Sequence, residues 1–472
     1  MLFILFGTVC LFLGYVLYSR LAERIFLPYS NPTPAYSKRD GVDFIPMPTL
    51  KNHLIELLNI AGTGPIFGAL MGAKWGPVAF LWVIFGCILG GAIHDYISGM
   101  MSMRNGGRSL SNLIPQYLGK AMRYPALIFL IGVLIISCAM LAKSACELLM
   151  QLTGVDFMVW MVVIVIYFAA SAILPIDKVI GRIYPIFGIL LVFMALAIIG
   201  GLVFEGYSLP PMTLDNLHPQ GVEVFPDMFI TIACGAVSGF HATQSTMVAR
   251  CLRSERSGRS VFYGAMIVEG FIALIWVGAG LAFFPDTQSL SDALAGSGPS
   301  GVVYNICTTL LGPVGSVLAI LGVIACPITS GDTAIRAVRM MIQDDRKWDT
   351  RDVRISTIIT AVAIIFVFTL CLLDFQSLWY YASWMNQTMA CLTLWACTAF
   401  ILTIPGKKAY SMMTLFPAMF MTMVITSFII HSNLGLSLDY DLSMVLAAIL
   451  TIIPTLFFIK AAFSNRAKAD SC

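Results

Sequence analysis

The chain has 472 residues, of which 58% are hydrophobic and 11% charged, with a mean hydropathy of +0.87 and a formal net charge of +3. Soluble domains carry about 25% charged residues, so this composition excludes a soluble fold and makes membrane lipid the solvent. No basic, aromatic-rich stretch supports a nucleic-acid partner. No P-loop, HExxH or GxSxG sequence supports ATP-driven work or the common hydrolytic mechanisms, so no enzyme is expected. The 12 cysteines are scattered, mostly within apolar runs, with no CxxC pair. Neither a disulfide framework nor a metal site is read from them, and no cofactor is expected.

The first apolar run, Leu2 to Tyr18, lacks a basic stretch before it and a small-residue cleavage site, so it reads as a retained membrane helix. Runs of about 20 apolar residues suffice to cross a bilayer. In chain order they predict an all-α, polytopic protein of about 13 spans, at 2–18, 53–72, 75–101, 124–145, 157–176, 183–204, 225–249, 260–284, 302–335, 355–373, 378–403, 410–431 and 440–461. The 302–335 run is too long for one upright span and is expected to tilt, to break near Pro327 or to project from the membrane.

Charge placement supports this count. With the N-terminus outside, alternate loops collect Arg20, Arg24, Lys38, Arg39 and Lys51, then Arg104, Arg108, Lys120 and Arg123, then Lys178 and Arg182. Further along come Arg250 to Arg259, Arg336 to Arg354, Lys407 and Lys408, and the tail residues Lys460, Arg466 and Lys468. All but Lys74 and Lys143 of the 28 basic residues fall on that side. Lys and Arg crowd cytoplasmic loops, which predicts an outer N-terminus and a cytoplasmic C-terminus. The outer loops 205–224 and 285–300 carry acids and no Lys or Arg.

Two spans are rich in small and polar residues: NHLIELLNIAGTGPIFGALMG (52–72) and FITIACGAVSGFHATQSTMVAR (229–250). Gly62 and Gly64 before Pro65, then Gly235 and Gly239, fall mid-span. Glycine and proline interrupt the backbone ladder, and irregular backbone at that depth is tolerated only inside protein or along a cavity. The second and seventh spans start five spans apart, so the second set of five enters inverted. That divides the chain into an extra helix and loop (1–52), a five-helix repeat (53–204), its inverted partner (225–403) and two final helices (404–472). The pattern resembles the amino acid–polyamine–organocation transporter architecture, whose first and sixth core helices are broken. Close-packed helices using small residues as contact faces are the alternative.

The polar residues of these spans form three groups. Ala61, Gly62, Gly64, Pro65, Ser238, Gly239, Phe240, His241 and Gln244 surround the two breaks and are the candidate solute site, where helix N-terminal N–H groups would bind a carboxylate. His241 either donates to an anionic solute or ties two helices together. Thr329, Ser330, Asp332 and Thr333, in PITSGDTAIR, would face the freed carbonyl of Ile60 and hold a coupling sodium ion or proton. Asp332 alternatively caps a helix after a break at Pro327 and Gly331, paired with Arg336. Glu56, His94, Asp95 and Glu269 are candidates for a proton relay or gate, or for packing ion pairs. His94 and Asp95 are adjacent and so expected to point about 100° apart on a helix.

Four stretches then look familiar: IAGTGPIFGA (60–69), GGAIHDYISGMMSMRNGGRSL (90–110), IACGAVSGFHATQSTMVARC (232–251) and PITSGDTAIR (327–336). In order across the chain they resemble the carbon starvation protein A family. The resemblance implies a bacterial inner-membrane transporter of the starvation response, associated with proton-linked pyruvate uptake and with peptide utilisation. Many members are longer, and many carry a His pair one turn before the IAG motif, where this chain has Ile55 and Glu56. The expected function is cation-coupled import of a small carboxylate such as pyruvate. A peptide is the alternative solute, and a starvation sensor or a channel the alternative class.

Overall fold

The computed structural model describes residues 2–29, 32–174, 176 and 180–469. Lys178, and the side chains of Arg182, Arg466 and Lys468, lie outside what is described. Within the described residues the chain is helical, with one isolated bridge between Met47 and Leu252 and no strand. An apolar chain in lipid has this option or a closed barrel, because both satisfy every backbone group internally.

The helices run in order as α1 (Leu2–Glu23), the bent pair α2 (Thr49–Ile60) and α3 (Gly64–Trp75), and α4 (Val78–Arg104). A short α5 (Leu110–Leu118) leads to α6 (Lys120–Thr153), α7 (Phe157–Ile173) and α8 (Ile180–Phe204). A second interrupted pair follows, α9 (224–231) and α10 (Gly239–Val248). Then come α11 (Glu255–Phe283), α12 (Thr287–Arg346), α13 (Val353–Cys371), α14 (Phe375–Thr403), α15 (Lys408–His431) and α16 (Tyr440–Ala469).

Ten helices among the described residues are long and apolar enough to cross a membrane, or eleven with α2–α3 taken as one span. The difference from about 13 lies in α7, which has 17 residues, and in α9–α10, whose halves are too short to qualify. Asp156, Asp286, Asp352 and Asp374 accept N–H bonds at the starts of α7, α12, α13 and α14. An acid placed there satisfies open donors and opposes the positive end of the helix dipole.

Burial separates centre from rim. The apolar windows of α11 and α14 are 78% and 72% buried, whereas those of α13 and α16 are 22% buried. The rim helices turn large side chains outward, among them Phe6, Ile166, Ile365 and Phe457, as a lipid-facing surface requires.

α12 corrects one expectation. At 1.5 Å per residue, 60 straight helical residues would span roughly 90 Å, three times the hydrocarbon thickness. The helix is bent at Gly298 (φ 67°) and Gly312 (φ 63°), not at Pro327, which lies inside continuous helix together with Gly331. The 285–300 loop is accordingly helical over most of its length.

The basic loops meet on one face. Arg104 pairs with Glu255 (2.7 Å), Arg123 with Asp345 (2.9 Å), Arg259 with Glu23 (3.2 Å), and Arg250 with Asp344 (2.5 Å). Beneath them Asp43 takes both Arg336 (3.1 Å) and Arg339 (2.8 Å), all three buried. On the other face the 205–223 loop is held by Trp75, whose indole N–H donates to the carbonyls of Val222 and Glu223 (3.0 Å each).

Candidate functional site

α2 ends at Ile60, and the chain turns through 61–63 before α3 departs at 55°. Gly235, with φ +85°, breaks the second pair between α9 and α10. The two breaks press together: a Cβ added at Gly64 would lie 2.2 Å from Cys234 Cβ. No side chain fits between them. The backbone groups freed by the first break are partly claimed by α12. The Leu58 carbonyl accepts from Thr329 Oγ1 (2.7 Å) and Ser330 Oγ (3.2 Å).

A small cavity sits against the breaks, with room for only a few waters. Gly62, Thr63 and Gly64 form one wall, Cys234 and Phe240 another, and Ser330, Trp379 and Asn386 close it. Among its lining residues there is no Asp, Glu, His, Lys or Arg. At the start of α3 Pro65 has no N–H, and Ile66 and Phe67 donate to the Thr63 carbonyl (3.2 and 2.7 Å), so the Gly64 N–H is the donor left open.

The sequence candidates divide around this cavity. Ile60, Gly62, Gly64, Phe240 and Ser330 line it. Ala61 and Pro65 belong to the first break without lining it. Ser238 and Gly239 open α10, but that helix start is already capped by a side chain. Asn386 Oδ1 accepts from Phe240 N–H (2.6 Å), and its amide donates to Ser238 Oγ (2.9 Å). Gln244 donates to Thr243 Oγ1 (2.9 Å), away from the cavity. Thr333 turns back onto the Thr329 carbonyl (3.0 Å).

Asp332 does not pair with Arg336 and caps no helix. Its carboxylate accepts from Tyr167 (2.7 Å), Ser171 (3.1 Å) and Tyr184 (3.1 Å), hydroxyls of α7 and α8. Arg336, one turn on, instead reaches Asp43 and the carbonyls of Ser171 and Leu174. The two side chains share a helix and meet at Ser171, Asp332 through its hydroxyl and Arg336 through its carbonyl.

His94 and Asp95 also depart from expectation, because they meet despite adjacency. Asp95 lies between two imidazoles, with His94 Nδ1 at 2.7 Å and His241 Nδ1 at 3.1 Å. The other His241 nitrogen faces Glu269 at 3.5 Å. Glu56 accepts from Ser245 Oγ (2.5 Å) nearby. All of these side chains are fully buried. Sequence reasoning left out Asn386, Cys234, Tyr167, Tyr184 and Asp43. Asn386–Gln387 inside the apolar run of α14 was a readable signal, since a buried amide needs partners. Nothing in the spacing singles out Cys234 among 12 cysteines.

Two abutting interrupted helices beside a small cavity, inside a polytopic helical bundle, define the architecture of this membrane protein. The chain belongs to the carbon starvation protein CstA family, whose model matches residues 1–209 and 144–282. It is 40% identical over 353 residues to an uncharacterized membrane protein of Haemophilus influenzae, covering 62% of this chain and 94% of that protein. It is 27% identical over 350 residues to the peptide transporter CstA of Helicobacter pylori, covering 58% of this chain and 50% of the relative. Over 352 residues it is 27% identical to the pyruvate/proton symporter BtsT of Escherichia coli, covering 58% and 48%. The chain thus spans about half the length of the relatives that carry transporter names.

Proposed function

We propose that this protein is a cation-coupled secondary transporter that imports a small carboxylate, with pyruvate the leading solute. The observation that carries this reading is the cavity at the paired breaks, which is small and without a charged side chain. The Gly64 N–H, at the positive end of the α3 dipole, is its natural anion donor. Room for a few waters favours a solute of pyruvate size over a dipeptide, although relatives of both names exist. The coupling cation binds where the Leu58 carbonyl meets the hydroxyls of Thr329 and Ser330, an all-oxygen set suited to a hard cation. A proton is the alternative, favoured by the name of the E. coli relative. Asp332 then serves to hold α7 and α8 against α12.

In this reading the basic face is cytoplasmic in a bacterial inner membrane, and 53–204 and 225–403 are the inverted repeats. The deciding experiment is uptake of labelled pyruvate, amino acids and dipeptides by proteoliposomes, with proton and sodium gradients imposed separately. Pyruvate is expected to accumulate against its gradient and to show counterflow. A channel would give no counterflow, and uptake unaffected by either gradient would sink the symport reading. Replacing Thr329 and Ser330 together by Ala is expected to abolish accumulation while counterflow persists.

A further inference from the structure

Behind the cavity, α4, α10 and α11 bring Asp95, His241 and Glu269 together out of contact with solvent. Cys234, on the non-helical stretch between α9 and α10, reaches the same point while also lining the cavity. The Cys234 sulfur, a His241 ring nitrogen and a Glu269 carboxylate oxygen all lie within 4.8 Å of one another. Among the described residues, His241 Nε2 and both Glu269 oxygens have no hydrogen-bond partner. A buried polar atom left unsatisfied costs about 1–3 kcal/mol, and more when charged. His241 Nε2 and Glu269 Oε2 stand 3.5 Å apart with no hydrogen bond between them, a gap that a shared ion would bridge.

The far side of His241 is already arranged for one. Its Nδ1 is bonded to Asp95, which is steadied in turn by His94. A carboxylate behind an imidazole fixes the ring and aims the lone pair of the other nitrogen at a metal. Sulfur, imidazole and carboxylate together are the donor set of zinc-type ions, and three protein donors leave one position open.

We propose that Cys234, His241 and Glu269 form a binding site for a divalent transition-metal ion of the zinc type, its open position directed at the cavity beside Cys234. Bonds of about 2.0–2.3 Å place tetrahedral donors roughly 3.5 Å apart, so binding draws the break at Cys234 inward. What fills the open position rests on the transport reading: a solute carboxylate finds there an open coordination position on a Lewis-acidic ion, where the cavity lining itself offers no charged group.

The test is titration of purified, chelator-stripped protein with Co2+, whose charge-transfer and visible bands report a thiolate ligand and four-coordination. One equivalent per chain is expected, displaced by Zn2+, together with a rise in the thermal midpoint of the wild type. Cys234→Ser is expected to abolish the charge-transfer band, and His241→Gln and Glu269→Gln to weaken binding at least tenfold. Asp95→Asn, at a positioning residue, is expected to weaken it about 10–100-fold and keep the band. Cys251→Ser, at a cysteine buried elsewhere, is expected to change nothing. Absence of saturable Co2+ binding by folded wild-type protein overturns the site, as does a band that survives Cys234→Ser. The titration uses neither solute nor gradient, so its failure leaves the transport reading standing, and failed uptake leaves the site standing.

Discussion

Asp332 receives three hydroxyl donors and no cation, so its neighbours depend on it as an acceptor. Asp332→Ala leaves those hydroxyls without their partner and is expected to cost about 1–3 kcal/mol. Asp332→Asn keeps one acceptor oxygen and is expected to cost less. Thermal unfolding of the two variants in detergent checks this ranking, and a larger loss for Asn would refute the acceptor role. That the residue needs hydrogen-bond partners inside the bundle was legible from an acid in an apolar run. Its partners were not, because Tyr167 and Tyr184 lie about 150 residues earlier, and only the packing of α7 and α8 on α12 brings them near.

At the scale of elements, the two breaks were readable because Gly62 and Gly64 disfavour helix and Pro65 removes a ladder N–H, and Gly235 marks the second. Their mutual contact was not readable, since it depends on how α2–α3 and α9–α10 are set in the bundle. Gly64→Ala forces its new methyl into Cys234 and is expected to destabilise by about 1–3 kcal/mol and to abolish uptake. Gly132→Ala, where a Cβ meets nothing closer than 3.8 Å, is expected to be tolerated in the same two assays.

The 205–223 loop offers a pH test. His218 packs on Trp75 with ring centroids 4.5 Å apart. Burial, with Lys74 adding to it, pushes its pKa down to about 4. The undocked loop takes up its proton near pH 6.5, so docking is strongest above that pH and weakens as pH falls from about 6.5 towards 4. The protection factors of 205–223, corrected for the intrinsic slowing of amide exchange at lower pH, are expected to fall across that window, and His218→Gln is expected to flatten the response.

For the whole molecule, basic residues predict which loops share a face, and the ion pairs among loops at 23, 104, 123, 250, 255, 259 and 344–345 join such loops. Pairing within the face was beyond the sequence, because any of several arginines could meet Asp43. Asp43→Asn leaves Arg336 and Arg339 buried without a counter-charge, and breaking such a pair costs about 3–5 kcal/mol. A thermal midpoint lowered well beyond that of Asp332→Asn is expected. An unchanged midpoint would mean the two arginines find other partners.

The two glycine bends of α12 lie before residue 313, and from there to Arg346 no residue departs from helical geometry. Ser330, against the first break, and Arg339, against Asp43, therefore stand on one rigid rod roughly 14 Å apart along its axis. Any tilt that separates Ser330 from the Leu58 carbonyl must swing Arg339 as well. The stretch after Gly312 is a lever. A shift of the rod at Ser330 is carried to Arg339, because no residue between them departs from helical geometry.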